Sequence, residues 1–222
     1  MKKSTNKIVL RYYKNGLLRI TIGEEIYYFK NDTLYLSNLC EEAELSISQK
    51  VKDWLCKSIS VNGLLNTNRL SLHLKQIQSS YPEINFKNMG ENDFFEYVKQ
   101  RKDDCAYREC IILMFYGMSK FFHSPDYYIK ACPMITSCYR KLNQPQEAIN
   151  FWNWMNDKPF YEAGLSKALF TSLAAAYIDI NDYKSAERFA KWAYKESNGA
   201  PDIELQIVYS VINDYKNNPS GH

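Results

Sequence analysis

A chain of 222 residues has room for one large domain or two to three small ones, and 45% hydrophobic with 24% charged residues is the balance of a globular chain. No apolar run approaches the roughly 18 to 20 residues that span a bilayer as a helix, which argues against a membrane protein. A net charge of +3 names no polyanionic partner by itself, because a binding footprint comes from local clustering. Such clustering is present at the start, where Lys2, Lys3, Lys7, Arg11, Lys14, Arg19 and Lys30 outweigh Glu24, Glu25 and Asp32. Arg11 and Lys14 interrupt any apolar core of signal-peptide length, so no export signal is expected. Cys40, Cys56, Cys105, Cys110, Cys132 and Cys138 show no CxxC spacing, and most lie in apolar helical patterns as small hydrophobes. A reducing, cytoplasmic setting is the expectation.

From Ile8 to Phe29 apolar and polar residues alternate at period two in two runs, separated by Lys14-Asn15-Gly16 and followed by Gly23-Glu24. Asn15-Gly16 predicts a two-residue hairpin turn, since both residues tolerate positive φ. Residues 1–39 are therefore expected to form a small antiparallel β unit: a hairpin, a third strand and a short fourth at Thr33 to Leu36. Tyr12, Tyr13, Tyr27, Tyr28, Phe29 and Tyr35 interleave with the basic residues, which suits base stacking beside phosphates. Ordinary packing on a pleated surface accounts for tyrosines equally well.

Cys40 to Ser46 reads as a polar connection into a helix from Ser48 to Ile59, with Val51, Trp54, Leu55 and Ile59 as its apolar stripe and Lys50, Lys52 and Lys57 on its other side. Leu70, Leu74 and Ile77 repeat at i, i+4, i+7 on a second helix that Asn66 or Thr67 would cap. Tyr81-Pro82 ends it, because the residue before a proline avoids the helical region. Asn88-Met89-Gly90 signals a turn, and Phe94, Phe95, Tyr97 and Val98 open another helix running to about Lys102. The whole is a helix–turn–helix variant over residues 44–103.

These residues resemble the LOTUS domain, also called OST-HTH, a small winged-helix module. Gly63, Leu64, Leu65, Asn66, Arg69, Leu70, Leu74, Pro82, Lys87, Gly90 and Phe94 fall at matching places. Thr67, Ser71, Ile84, Asn85, Phe86 and Met89 depart from the family pattern, marking a divergent member. The resemblance covers about a quarter of the chain and implies RNA binding or docking to a protein rather than catalysis. With it, Lys50, Asn66, Arg69, His73, Lys75 and Lys87 are the candidate nucleic-acid-binding residues, expected to be exposed around the helix–turn–helix. Arg69 and His73, four apart, should share one helix face.

A wing hairpin would follow Lys102, but Ala106, Cys110, Leu113, Met114 and Gly117 recur at helical spacing, so this segment is read as helix. Further on, two segments align with Tyr139 against Tyr177, Ala148 against Ala186 and Met155 against Ala193, each pair 38 apart. Phe170, Leu173, Ala174, Tyr177, Ala186, Ala193 and Pro201 resemble the tetratricopeptide repeat, in which large residues of one helix pack on small ones of the next. The first copy is degenerate, with Cys132, Ile135 and Thr136 at the corresponding places. Residues 104–218 are thus expected to form helical hairpins of this kind, a docking surface for a protein partner, closed by a last helix after Pro201.

No phosphate-cradling glycine loop, GxGxxG, GxSxG or HExxH occurs, and neither His123 nor His222 has a visible partner for metal binding or nucleophile activation, while Arg69 with His73 is one lone pair without the second acid or base a ribonuclease site needs and better suits holding a phosphate. Trp152 and Trp154 read as core rather than ligand stackers. The expectation is an α+β, mostly α, non-enzymatic protein without cofactor or metal: an RNA-binding adaptor, or alternatively a purely protein–protein scaffold or regulatory subunit.

Overall fold

In the computed structural model, residues 8–13, 16–30, 33–36, 41–42, 45–158 and 161–217 are described. The chain is an α+β protein, mostly helical, with its strands at the start. Its contacts divide after Gly117 into two compact units.

In the first unit β1 (Ile8–Tyr12), β2 (Leu18–Ile22), β3 (Glu25–Lys30), β4 (Thr33–Leu36) and β5 (Glu41–Glu42) make one antiparallel sheet in chain order. The period-two pattern becomes two faces, and Leu10, Tyr12, Leu18, Ile20, Tyr27 and Phe29 are buried on one of them. Three of the six aromatics considered for base stacking therefore point into the core. Glu41–Glu42, expected in a polar connection, pairs with β4 through Tyr35↔Glu42 and Leu36↔Glu41, which gives β4's outer edge backbone partners. Cys40 lies outside the described residues.

The first turn is wider than the expected two-residue Asn15-Gly16 loop. Tyr13 N–H donates to Leu17 O at 3.0 Å, and Gly16 N–H donates to Tyr13 O at 3.2 Å. Lys14 and Asn15 lie outside the described residues. Gly16 has φ +73, and a Cβ there would stand 3.0 Å from Cys105 O, so conformation and space both call for glycine. Two residues, Gly23 (φ +64) and Glu24, do connect β2 to β3.

The first unit's helices are α1 (Leu45–Ser58), α2 (Val61–Leu64), α3 (Thr67–Ser80), α4 (Glu91–Asp103) and α5 (Tyr107–Lys120), inside whose last turn the division falls. α1 begins three residues before Ser48. α3 packs along β1, and Tyr12 N–H, on the free edge of the sheet, donates to Ser80 Oγ at 3.0 Å. Leu55, Ile59, Leu64, Ile77, Phe94 and Val98 complete the core with the sheet's inner face. Each such side chain contributes about 1.5–3 kcal/mol over exposure.

The second unit is helical: α6 (Pro125–Lys141), α7 (Pro145–Asn156), α8 (Tyr161–Gly164), α9 (Lys167–Asp179), α10 (Tyr183–Glu196) and α11 (Ile203–Asn217). The 38-residue offset recurs in its turns. Asn143 and Asn181 adopt φ +54 and +62, a left-handed conformation that asparagine tolerates. Around them Asn143 N–H bonds Arg140 O and Gln144 N–H bonds Tyr139 O, while Asn181 N–H bonds Ile178 O and Asp182 N–H bonds Tyr177 O, all at 2.9 Å. Both turns are the same helix stop, in which the last carbonyls receive amides from beyond the helix end. α11 packs on α9 and α10.

Ala186 of α10 is fully buried, and α10 packs closely on α9. Ala186→Leu should overpack this contact and cost about 1–3 kcal/mol. A thermal melt checks it, the expected result being a lowered Tm.

Candidate nucleic-acid interface

The short turn after α1 sets where α3 can lie. Ser60 Oγ accepts the Gly63 N–H at 3.1 Å and donates to Lys57 O at 3.0 Å, tying the start of α2 to the end of α1. A Cβ on Gly63 would stand 2.9 Å from Lys57 O and 3.1 Å from Ser58 O, so only glycine lets the two backbones approach this closely. Three residues later Asn66 Oδ1 accepts the Arg69 N–H at 3.1 Å, the cap expected from sequence, and α3 begins.

Between α1 and α3, with the start of β1, lies an open groove of about 580 Å³. Ile8, Trp54 and Leu72 supply its apolar walls, Lys57 and Arg69 its charge, and Ser58, His73 and Gln76 the remainder. Leu72 is 55% exposed, which is unusual for a leucine in mid-helix and leaves the wall apolar and open. Its volume falls in the range of roughly 300–1,000 Å³ typical of ligand sites. Lys50, Trp54 and Lys57 stand at i, i+4, i+7 on α1, so Lys50 extends the basic rim along the same helix face. From 45 to 80 there are five basic residues against one carboxylate, Asp53, which accepts a hydrogen bond from Gln49 Nε2 at 2.6 Å. A groove with cations and an aromatic wall matches what a single nucleic-acid strand presents, phosphates and a base face.

The six sequence candidates separate. Arg69 and His73 line the groove, and Lys50 flanks it. Asn66 is exposed, but its side-chain oxygen is taken up in capping α3. Lys75 is exposed on a different face of α3, and Lys87 is exposed in the connection between α3 and α4. His73 was expected at the surface and is instead 3% exposed. Its Nε2 lies 3.2 Å from Ser58 O, and because a carbonyl only accepts, Nε2 carries the proton. Burial lowers the imidazole's pKa below the usual 6.5, and the neighbouring Arg69 charge pushes the same way, while the bond to Ser58 O opposes them. His73 thus acts as a neutral link between α1 and α3 rather than a phosphate-binding cation. Its contribution to stability is lost as pH falls below 6.5, since the unfolded chain then takes up the proton more readily. Trp54, Lys57, Leu72 and Gln76 were not among the sequence candidates, although the spacing of Lys50, Trp54 and Lys57 was there to be read.

A second cluster of titratable groups lies inside the first unit. Glu109 is 2% exposed and accepts from Tyr81 Oη at 3.2 Å. Arg101, also buried, pairs with Asp104 and holds its guanidinium 5.8 Å from the Tyr81 ring and 5.5 Å from the Tyr97 ring. Burial pushes the Glu109 carboxyl up to about 8, against the pull of Arg101 and the Tyr81 hydroxyl. With Glu109 and Arg101 both buried, this cluster is a polar network of the core. Among the described residues no group of three or more His, Cys, Asp and Glu side chains is placed to hold a metal ion, and no helix is long and apolar enough to cross a membrane.

No protein-family model, curated protein or solved structure matches this chain. The geometry of its surfaces is therefore the ground for its function.

Two outcomes test this architecture. Gly63→Ala should destabilise the first unit by about 1–3 kcal/mol, because Lys57 O and Ser58 O are backbone and must shift to admit the methyl group; denaturant titration reads it. Glu109 is protonated when folded and ionised when unfolded between its ordinary 4.5 and about 8. The folded state binds more protons there, so this residue's contribution falls as pH rises through that window. Glu109→Gln should flatten that fall, read as Tm against pH.

Proposed function

We propose that the chain is a non-catalytic RNA-binding adaptor whose first unit grips a single strand and whose second unit docks a protein. The observation that carries the reading is the groove between α1 and α3, where Lys57 and Arg69 stand beside the half-buried Trp54 and the exposed Leu72. Arginine forks two hydrogen bonds to phosphate oxygens, lysine adds a point charge, and an indole face stacks on any base. This is a LOTUS-like use of a helix–turn–helix, with the contacts shifted from the α3 surface as a whole to the side of α3 that faces α1. Three cations, Lys57, Arg69 and the flanking Lys50, around an open groove provide affinity without base-edge readout, so binding is broad in sequence and sensitive to salt.

The protein-docking half rests on the second unit. Its TPR-like hairpins present Trp192, 39% exposed, with the Arg188 guanidinium 5.6 Å from its ring. Tyr194, Ile203 and Ile207 are also exposed there. Exposed aromatics and arginine are the residue types enriched at protein interfaces. If this surface were the whole of the function, the chain would be a scaffold, and RNA would not bind it.

Fluorescence anisotropy of the purified chain with a single-stranded RNA oligonucleotide, across a salt series, separates the two. RNA affinity should fall steeply with salt. Lys57→Ala with Arg69→Ala should weaken it and reduce the logarithmic salt slope by about 1.4, at about 0.7 per lost phosphate contact. Lys75→Ala with Lys87→Ala, away from the groove, should change it far less. No RNA binding at low salt would sink the adaptor reading and leave the scaffold.

A further inference from the structure

The outward face of the sheet carries an arrangement that only the strand register reveals. Arg11 is opposite Arg19, Arg19 opposite Tyr28, and Tyr28 opposite Tyr35. Residues directly opposite one another point to the same side, so these four form one row across β1 to β4. The row lies on the face away from the buried Leu10, Ile20, Tyr27 and Phe29. With strands about 4.8 Å apart, it spans about 14 Å. Tyr28 and Tyr35 are half-buried, Arg19 is half-buried and Arg11 is exposed. Tyr13, the next outward position after Arg11, sits with its ring centroid 5.5 Å from the Arg11 guanidinium. Lys30 is the next outward position after Tyr28.

The outward positions of β1 to β4 include no carboxylate among the described residues; the register continues the row past Tyr35 to Glu42 of β5, at the end away from the arginines. Glu25, the one acid within these strands, belongs to the inward set and accepts the Tyr27 hydroxyl at 2.7 Å. The face therefore offers two aromatic rings at one end of a row and two guanidinium groups at the other. The strand edge beside Arg11 is occupied by the Tyr12 N–H bond to Ser80, so an extended peptide has no backbone partner there at Tyr12. A ligand for this face must lie on side chains, bring negative charge and present flat rings.

We infer that the outward row is a stacking platform for single-stranded RNA, with bases on Tyr28 and Tyr35 and phosphates on Arg11 and Arg19. The inference rests on the RNA-binding reading above and adds a second contact surface and a preference for unpaired strands. A duplex keeps its bases stacked on each other and exposes no ring to the tyrosines, whereas a single strand can splay its bases onto them. Tyrosine has few rotatable bonds, so little freedom is lost when a base settles on it.

The test uses the full chain, a uridine-rich single-stranded RNA, and the same sequence annealed to its complement. The parent should bind the single strand in preference to the duplex. Tyr28→Leu with Tyr35→Leu should cut single-strand affinity at least tenfold and leave the salt slope unchanged, because stacking rather than charge is removed. Tyr28→Phe with Tyr35→Phe should restore it. Arg11→Gln with Arg19→Gln should lower the slope by about 1.4. Ultraviolet crosslinking of the parent should map to peptides holding Tyr28 or Tyr35, which keeps the test open if the leucine variant does not fold. A folded leucine variant that binds like the parent, or crosslinks confined to α1 and α3, would overturn the platform while the groove reading stands. A parent that binds no RNA removes both.

Discussion

The first unit depends on a close approach of two pieces of backbone. Gly63 sits against the carbonyls of Lys57 and Ser58 with no room for a methyl group, and this contact lets α2 double back against the end of α1. Everything at the groove follows from it. α3 starts at Asn66 at a distance set by α2, His73 reaches Ser58 O, and Arg69 then stands across from Lys57 and Trp54. Ser58 illustrates how tightly the joint is used. Its hydroxyl donates to Leu55 O at 2.8 Å, while its carbonyl serves His73. A buried neutral imidazole joining two helices is a local and directional tie, of the kind that fixes a relative orientation where apolar contact alone allows sliding.

Much of this was legible in the residues, and the failures have physical causes. The strands showed because alternation at period two is direct evidence of two faces, and Asn66 showed because a cap residue acts on amides two or three positions away. His73 misled because spacing gives the angular position of a residue on its helix but not what lies opposite. Leu70 and Ile77 pointed to the core side, and Ser60 and Gly63 brought α1 close enough to bury the next face as well. Glu41–Glu42 was invisible for the opposite reason, since two polar residues form a strand only because β4 needs a partner. The row from Arg11 to Tyr35 has no signature along the chain. Its members are 8, 9 and 7 positions apart, and they meet only once the turns have set the register. Glu109 reads in sequence as the polar position of a helix, and its burial is a property of the aromatic residues that surround it.

Charge is distributed in the same uneven way. The net +3 conceals a first unit whose groove and outward sheet positions carry cations beside aromatic rings, and a second unit in which the exposed Trp192 has the Arg188 guanidinium laid over it. In each unit a cation and a ring share one rigid element, Lys57 with Trp54 on α1 and Arg188 with Trp192 on α10, so their spacing is set by the helix itself. The repeated asparagine turns have a comparable effect inside the second unit. By closing α6 onto α7 and α9 onto α10 with the same set of bonds, they make each hairpin a unit whose geometry is decided within about five residues of the turn.

The β1 edge, finally, bears on how the chain behaves when crowded. An exposed strand edge is a template on which another molecule's strand can add, and repetition of that step produces fibrils. Here Ser80 occupies the Tyr12 amide on one side of the sheet, and its own hydroxyl hydrogen goes back to Gln76 O at 3.0 Å, so the serine is held in place for the task. On the other side the last strand is two residues long, too short to seat a neighbour firmly. At the open edge of a tyrosine-rich, strongly β-forming segment, one hydroxyl group at the end of a helix thereby takes up the Tyr12 amide that an added strand would need. The hazard returns whenever α3 frays before the sheet does.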